Sequence, residues 1–134
     1  MNDCVFCKIA AGEIPAHKVY EDDQVIAFLD IAHFTKGHTL IIPKSHYSSL
    51  LDTPDEVLAK IAVLTKDLAT NYKPILRADG FTVKQNNGEV AGQEVMHYHV
   101  HLIPHYEGDK FKFAVQHKEQ KVDLEKLAND LRGE

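Results

Sequence analysis

The sequence has no tryptophan, only two cysteines and two methionines, and no long hydrophobic run. A membrane-spanning helix needs roughly 20 consecutive apolar residues, whereas the apolar runs here are only a few residues long. The first residues, Met1 to Cys4, have neither the basic nor the apolar segment of a secretory signal. We therefore expect a cytoplasmic protein with no membrane partner. In that compartment, two cysteines are poor evidence for a structural disulfide.

Blocks of like charge are also missing, and the formal net charge is -5 at pH 7. Binding along a nucleic-acid backbone needs a dense lysine and arginine surface, so we expect no nucleic-acid partner. A small phosphate ligand is compatible with this charge, because a few local donors can outweigh the overall sign. No repeat or flexible linker divides the 134 residues. The sequence therefore predicts a single domain over residues 1–134, with a C-terminal tail from about Glu107.

Hydrophobic periodicity predicts five strands and two helices. The strands are expected at residues 17–20, 25–29, 38–42, 80–85 and 97–104. The clearest helix follows Thr53, which forms a capping-box pattern with Glu56, and Pro54 takes its first position. A weaker helix is expected from about Val122 to Leu131, capped near Asp123. This order predicts an α+β fold with helices on one side of an antiparallel sheet.

Four of the nine histidines fall close together, at His97, His99, His101 and His105. The first three alternate, and alternate residues of a strand point to the same face. The intervening residues are apolar and suit a core, which leaves the histidines on a solvated or functional face. Threonine, lysine or serine would serve a merely polar face equally well. The cluster therefore indicates a function.

Three kinds of chemistry suit this cluster. The imidazoles could together hold a catalytic metal, one or two of them could bind a structural zinc, or one could attack phosphorus directly. Histidine suits the last role because its pKa of about 6.5 leaves it largely neutral at pH 7. Cys4 and Cys7 have the C-x-x-C spacing that can hold one tetrahedral ion, and His46 and His97 are available as the other half-site. Because this spacing matches no short zinc-finger pattern, such a site has to be assembled by the fold.

Residues 97–103 read HYHVHLI and fit the pattern His-x-His-x-His-x-x with apolar residues at x. This pattern names the histidine triad (HIT) proteins, which the chain resembles over most of its length. The segments CVFCKIAAGEIPAHKVYEDDQVIAFLDI, GHTLIIPKSH and NNGEVAGQEVMHYHVHLIP, in this order, resemble the Hint branch in its bacterial, zinc-containing form. The resemblance implies a five-stranded antiparallel sheet with a long central helix and a C-terminal helix. It also implies a homodimer in which two sheets join into one of ten strands.

The resemblance further implies a nucleotide hydrolase or transferase that acts at the α-phosphorus, like the purine nucleoside phosphoramidases. It would form a nucleotidyl-histidine intermediate and release a nucleoside monophosphate. His99 takes the position of the nucleophile, His101 that of the histidine contacting the phosphate oxygens and leaving group, and His38 that of a fourth active-site histidine. The alternatives are a dinucleoside polyphosphate hydrolase of the same family, a nucleotide-binding regulatory protein with little turnover, and a hydrolase holding one metal on three histidines.

Residues that would hold the substrate and the metal follow from the same resemblance. Asp30 matches the acid that binds the ribose hydroxyls, and Asn86, Gln93 and Gly92 match the groups near the phosphates. The apolar walls of the purine pocket correspond to Phe6, Ile9, Phe28 and Ile31. One structural zinc per chain would have four ligands, namely Cys4, Cys7, His46 and His97.

Two positions depart from the family pattern. Glu94 stands where eukaryotic Hint proteins have a serine, and its carboxylate could repel the α-phosphate or accept a proton. His105 stands where bacterial relatives often have arginine, which removes a permanent charge that could meet a distal phosphate. The preferred leaving group is therefore left open.

Overall fold

A five-stranded antiparallel sheet is the centre of the computed structural model, which describes residues 3–109 and 122–133. Its strands are β1 (Lys18–Glu21), β2 (Val25–Leu29), β3 (Thr39–Pro43), β4 (Gly80–Lys84) and β5 (Val100–His105). The helices are α1 (Val5–Ala10), α2 (Asp55–Tyr72) and α3 (Leu124–Leu131). The strand order is β1-β2-β3-β5-β4, with every neighbouring pair antiparallel. The expected α+β fold with one such sheet and a long helix is confirmed.

The sheet separates two apolar clusters. On one face, the apolar side of α2 packs against alternate residues of β2, β3 and β5. On the other face, Phe6 of α1 packs against Ile26, Phe28, Leu40 and Ile42. Each buried aliphatic or aromatic side chain of this size contributes roughly 1.5–3 kcal/mol to folding. Because both faces of β2 and β3 are covered, these two strands form the rigid centre to which the histidine segment is attached.

Strand β5 begins at Val100, three residues later than predicted. Pairing between β3 and β5 runs from Thr39 opposite Leu102 to Ile41 opposite Val100 and goes no further. Pro43 closes β3 and has no N–H for a ladder, and its carbonyl instead accepts a hydrogen bond from the His97 ring. Of the three alternating histidines, only His101 therefore belongs to a strand. His97 and His99 precede β5, so the three residues do not lie together on one face of a strand.

The helix ends also differ from expectation. Helix α2 begins at Asp55 with Pro54 as its N-cap, and the predicted Thr53 capping box is absent from this end because the Thr53 hydroxyl donates to the Ser49 carbonyl. A capping box forms earlier, between Ser49 and Asp52. At its other end, α2 continues into a π-helical turn, Lys73–Arg77.

Helix α1 precedes the first strand in the sequence, and helix α3 follows the last one. Helix α1 was not anticipated, because the C-x-x-C segment was interpreted only as a ligand motif. Helix α3 is confirmed, with the Asp123 side chain accepting from the Lys126 N–H. Residues 110–121 of the predicted tail lie outside the described residues. In the part of the chain that is described, no helix is long and apolar enough to cross a membrane.

Candidate active site and metal centre

Four predicted metal ligands meet beside the N-terminus of α1. Their ligand atoms all lie within 4.8 Å of one another, although Cys4 and Cys7 are far from His46 and His97 in sequence. The Cys7 Sγ lies 3.2 Å from His46 Nδ1 and 3.5 Å from His97 Nδ1, and the Cys4 Sγ lies 3.4 Å from His97 Nδ1. A tetrahedral ion with zinc-like bond lengths separates sulfur and nitrogen ligands by about 3.5 Å. The donor set and its spacing therefore fit a closed Cys2His2 site.

The His97 ring is already in the form a metal needs. It is fully buried, and its Nε2 lies 2.8 Å from the Pro43 carbonyl oxygen. A carbonyl only accepts, so Nε2 carries the proton and Nδ1 presents its lone pair to the thiols. The two thiols are not joined in a disulfide, and Cys4 also caps α1 by accepting from the Cys7 N–H. Both ends of the cluster are thus held by backbone groups.

The His99 ring is oriented by the backbone in the same way. Its Nδ1 lies 2.7 Å from the carbonyl oxygen of His97, so Nδ1 carries the proton and Nε2 the lone pair. Among the described residues Nε2 has no hydrogen-bond partner, and since no buried polar atom is left unsatisfied there, Nε2 must reach the adjoining cavity. A nucleophilic nitrogen in this position is aimed at whatever occupies that cavity.

A second pair of histidines is oriented from the turn before β3. The Phe34 N–H donates to His38 Nδ1 at 3.1 Å, which leaves the proton of neutral His38 on Nε2. That Nε2 lies 2.9 Å from His101 Nδ1, so His38 donates and His101 accepts. Neutral His101 then carries its own proton on Nε2. His99 and His101, with ring centroids 5.1 Å apart, thus present a lone pair and a proton side by side.

Burial keeps these rings neutral. Burial, helped by the charges of His99, His38 and Lys84, lowers the pKa of His101 to about 4. Burial also lowers the pKa of His99, against the hydrogen bond to His97 and the carboxylates of Asp30 and Glu94. The pKa of His38 is likewise lowered by burial, although Asp30 opposes the shift. A neutral imidazole is the form that can act as a nucleophile at pH 7.

The cavity beside these histidines has a volume of about 350 Å³. Its polar lining includes Asp30, whose carboxylate lies 3.7 Å from His38 Nε2 and accepts from the Ala32 N–H at 2.9 Å. Its apolar lining includes Phe6, Leu40 and Val95. A pocket with apolar walls and a few converging polar groups is the usual form of a small-molecule site.

The predicted substrate-binding residues are divided between this cavity and its surroundings. Phe6, Asp30, Asn86 and Gly92 line it together with the three active-site histidines. Asn86 donates to the Gly92 carbonyl at 3.1 Å, and a Cβ at Gly92, where φ is +92°, would lie only 3.0 Å from the Asn86 amide. The close approach of this loop to the cavity therefore depends on glycine.

Four predicted substrate residues lie elsewhere. Ile9 and Phe28 belong to the apolar cluster behind the cavity. Ile31 is 87% exposed and lines an adjoining cavity of about 360 Å³, which shares Asp30 and His38 with the first. Gln93 is buried and holds the loop together, with its amide bonded to the Ser48 and Val95 carbonyls and its oxygen to the Gly88 N–H. His105, which stands where bacterial relatives often have arginine, forms a side-chain hydrogen bond with Thr82 and does not line the cavity.

Five residues of the cavity lining were missed from the sequence, namely Ala32, Phe34, Leu40, Lys84 and Val95. Phe34 stacks on His38 with ring centroids 5.6 Å apart, and Lys84 reaches over Phe34 with its Nζ 5.4 Å from the ring centroid. Lys84 could have been found, because residues two apart in an extended segment point to the same side, and Lys84 precedes the predicted Asn86 by two residues. Nothing in the turn sequence pointed to Phe34. Glu94, noted as a departure, also lines the cavity.

The geometry contradicts one alternative, a single metal on all three triad histidines. His97 directs Nδ1 to the thiols and Nε2 to Pro43, so neither nitrogen is available to an ion shared with His99 and His101.

The HIT domain family model matches residues 11–108, and the chain belongs to the HIT family.

Known proteins similar to this chain agree with the fold. It is 46% identical to a structure from Streptococcus mutans, covering 99% of this chain and 85% of that one with a TM-score of 0.89. It is 44% identical to a Zn-bound histidine triad family protein of Mycobacterium smegmatis, covering 83% and 81% of the two chains with a TM-score of 0.79. Among curated relatives, adenylylsulfatase HINT3 of Arabidopsis thaliana is 39% identical over 97% of this chain and 66% of that protein.

Proposed function

We propose that this protein is a Hint-type nucleotide hydrolase that acts at the α-phosphorus of a purine nucleotide. The observation that carries the proposal is the backbone control of two ring protons. The His97 carbonyl makes His99 a nucleophile, and the Phe34 N–H, acting through His38, makes His101 a proton donor in the same cavity. A displacement at phosphorus needs this pair of roles, one on the entering side and one on the leaving side.

The reaction then takes two displacements. His99 Nε2 forms a bond to the α-phosphorus while the bond to the leaving group breaks, and the His101 Nε2–H stabilises or protonates the departing atom. Water next attacks the phosphorus and gives up a proton, which restores His101 if that residue protonated the leaving group and otherwise passes to solvent. The N–P bond breaks, and its electron pair returns to His99. The products are the leaving group and a nucleoside monophosphate.

Substrate recognition follows from the cavity walls. We place the ribose hydroxyls on Asp30, because this carboxylate lies where the two adjoining cavities meet. The purine is placed against the apolar side chains next to it, with Phe6 on one side and exposed Ile31 available to cover the other. Asn86 and the Gly92 loop lie near the phosphate side.

The Cys2His2 cluster is proposed to hold one structural zinc per chain. Cys4, Cys7, His46 and His97 would be its ligands, and the similar Zn-bound protein of Mycobacterium smegmatis supports this identity. Bound zinc would supply a crosslink rather than a reacting group, because four protein ligands leave no open coordination position. Metal analysis of protein purified without chelator tests it, and an absence of zinc would contradict it.

A homodimer is also part of the proposal. Within residues 3–109 and 122–133, β4 pairs only with β5 and so lies at a sheet edge. An apolar groove of about 460 Å³ beside this edge is lined by α2 and by Val83, which is 56% exposed. Joining two β4 edges would give the expected ten-stranded sheet and cover this groove. Light scattering that gives a monomer mass would contradict the dimer, and cell fractionation tests the cytoplasmic location.

The catalytic proposal is tested with adenosine 5'-phosphoramidate and acid-quenched protein mass. We expect wild-type turnover, a nucleotidyl adduct, and a loss of about a thousandfold or more in His99→Ala, as for removal of a nucleophile. His105→Ala is the matched control, since it removes a histidine of the adjoining strand that does not line the cavity. A full rate in His99→Ala would refute the covalent mechanism.

The substrate within this class remains to be chosen by the same assay. Adenylyl sulfate is a second candidate, because the relative from Arabidopsis thaliana is an adenylylsulfatase. Dinucleoside polyphosphates are a third. Tight nucleoside monophosphate binding with little turnover of any of them would favour a nucleotide-binding regulatory protein.

A further inference from the structure

We propose that Lys84 selects the leaving group, favouring substrates in which a negatively charged sulfate or phosphate group is displaced from the α-phosphorus over those that release a neutral amine. The inference rests on the proposed function and adds the substrate class. It assigns Lys84 a role in specificity, not in the covalent step.

The position of Lys84 places it beside the proton donor. On the antiparallel pair β4 and β5, Lys84 lies directly opposite His101. Side chains of opposite residues share a face and lie close together. Val83, the preceding residue, faces the α2 groove instead, which agrees with the alternation along β4. Lys84 is therefore directed to the cavity by the register of the sheet.

Phe34 guides the cationic end of this side chain. The Lys84 Nζ lies 5.4 Å from the centroid of the Phe34 ring, and that ring is stacked on His38 with an interplanar angle of 19°. A cation over an aromatic face is attracted by the ring quadrupole. The ammonium group is thereby held at Phe34, the ring that stacks on His38 and lines the same cavity.

Three charged side chains line the cavity, namely Lys84, Asp30 and Glu94. The Asp30 carboxylate lies 3.7 Å from His38 Nε2 and is the group to which we assign the ribose. Among the described residues that line the cavity, Lys84 carries the permanent positive charge, and the sheet register places it opposite His101.

The geometry of the reaction assigns these two ends. Attacking and leaving atoms lie roughly in line on opposite sides of the phosphorus. If His99 attacks, the leaving atom departs in the direction away from His99. We place it within reach of the proton of the neighbouring His101, with Lys84, the residue opposite His101 in the sheet, supplying a permanent positive charge beside it. Negative charge that develops on a sulfate or phosphate leaving group is stabilised there, whereas a departing amine gains nothing from Lys84.

Two substrates with the same nucleoside test this inference. Adenosine 5'-phosphosulfate releases an anion and adenosine 5'-phosphoramidate releases ammonia, so the ratio of their kcat/KM values isolates the leaving group. A unit charge about 4 Å from the leaving group changes its rate of departure by roughly tenfold. We therefore expect kcat/KM for the phosphosulfate, divided by kcat/KM for the phosphoramidate, to fall by about tenfold in Lys84→Met. Lys84→Arg should restore most of it.

The matched control is Lys18→Met, which removes an exposed lysine of β1 that pairs with Glu21. It should leave the ratio unchanged. Added salt should reduce wild-type turnover of the phosphosulfate more steeply than that of the phosphoramidate, a measurement that needs no variant. An unchanged ratio in folded Lys84→Met, or equal salt dependence, overturns the inference. If wild-type protein turns over neither of these substrates nor a dinucleoside polyphosphate, the proposed function itself fails.

Discussion

The proton of His101 is predicted to depend on His38, and two substitutions separate the contributions of its two ring nitrogens. His38 accepts from the Phe34 N–H at 3.1 Å through Nδ1 and donates to His101 at 2.9 Å through Nε2. An asparagine amide ends where Nδ1 lies, and a glutamine amide ends where Nε2 lies. His38→Asn therefore keeps the bond to Phe34, and His38→Gln keeps the donor to His101.

The expected magnitudes follow from these bonds. Because His38 is 1% exposed, either loss leaves a buried group without its partner, at about 1–3 kcal/mol of folding stability. Only the loss of the donor frees His101 to move its proton from Nε2 to Nδ1. Removing one such donor from a reacting centre costs about a hundredfold or more in kcat. We expect a loss of that order in His38→Asn and a much smaller loss in His38→Gln.

The assay combines steady-state hydrolysis of adenosine 5'-phosphoramidate with urea unfolding, which reports stability separately. Nitrogen NMR of the His101 ring gives the position of its proton without reference to activity. Equal kcat values for the two variants, or an Nε2 proton that persists in His38→Asn, would show that His38 does not set the tautomer.

Three further predictions concern pH, metal and the loop. Since the pKa of His101 is lowered from its ordinary value to about 4, the folded state resists protonation. Stability should thus fall as the pH drops from 6.5, by about 2 kcal/mol at pH 5, and urea unfolding should show a shallower fall in His101→Gln. Cys7→Ser should lose the proposed zinc and lower the melting temperature. Activity should fall by less than about tenfold, because the Cys7 thiol does not line the cavity. A metal-free variant with the wild-type melting temperature would argue against a structural site. Gln93→Leu should lose about 3 kcal/mol in urea unfolding, because three hydrogen bonds of a buried side chain disappear. Exposed Gln24→Leu, which removes only a surface hydrogen bond to Lys60, should change stability by less than about 0.5 kcal/mol. Equal effects would show that the loop does not depend on Gln93.

Much of the fold could be predicted because its signals are local. A short continuous apolar run at residues 25–29 placed β2 correctly, and the buried residues Val57, Ile61, Leu64 and Leu68 of α2 recur at helical spacing in the sequence. The start of β5 could not be predicted, because it depends on Pro43, a residue of another strand that ends the ladder and redirects the His97 ring. The alternation of histidine and apolar residues extends back to His97, but the pairing of β5 with β3 ends at Val100.

The site shows the same division. The proposed metal ligands and the proposed catalytic histidines could be selected from the sequence as residue types, and the structure brings each set together. Their protonation was not predictable, because it is determined by the Pro43 and His97 carbonyls and the Phe34 N–H. Lys84 and Phe34 were missed because their approach depends on the register of β4 and on the turn before β3.

His97 serves two neighbours with different parts of itself, the metal cluster with its side chain and His99 with its carbonyl oxygen. Every amino acid has that carbonyl, whereas few have a metal-binding ring. Descendants of such a protein could therefore lose the proposed zinc in steps that preserve the orientation of the proposed nucleophile, provided that the main chain keeps its course. Metal content and activity could then change separately during evolution, even though His97 and His99 are only two positions apart in the sequence.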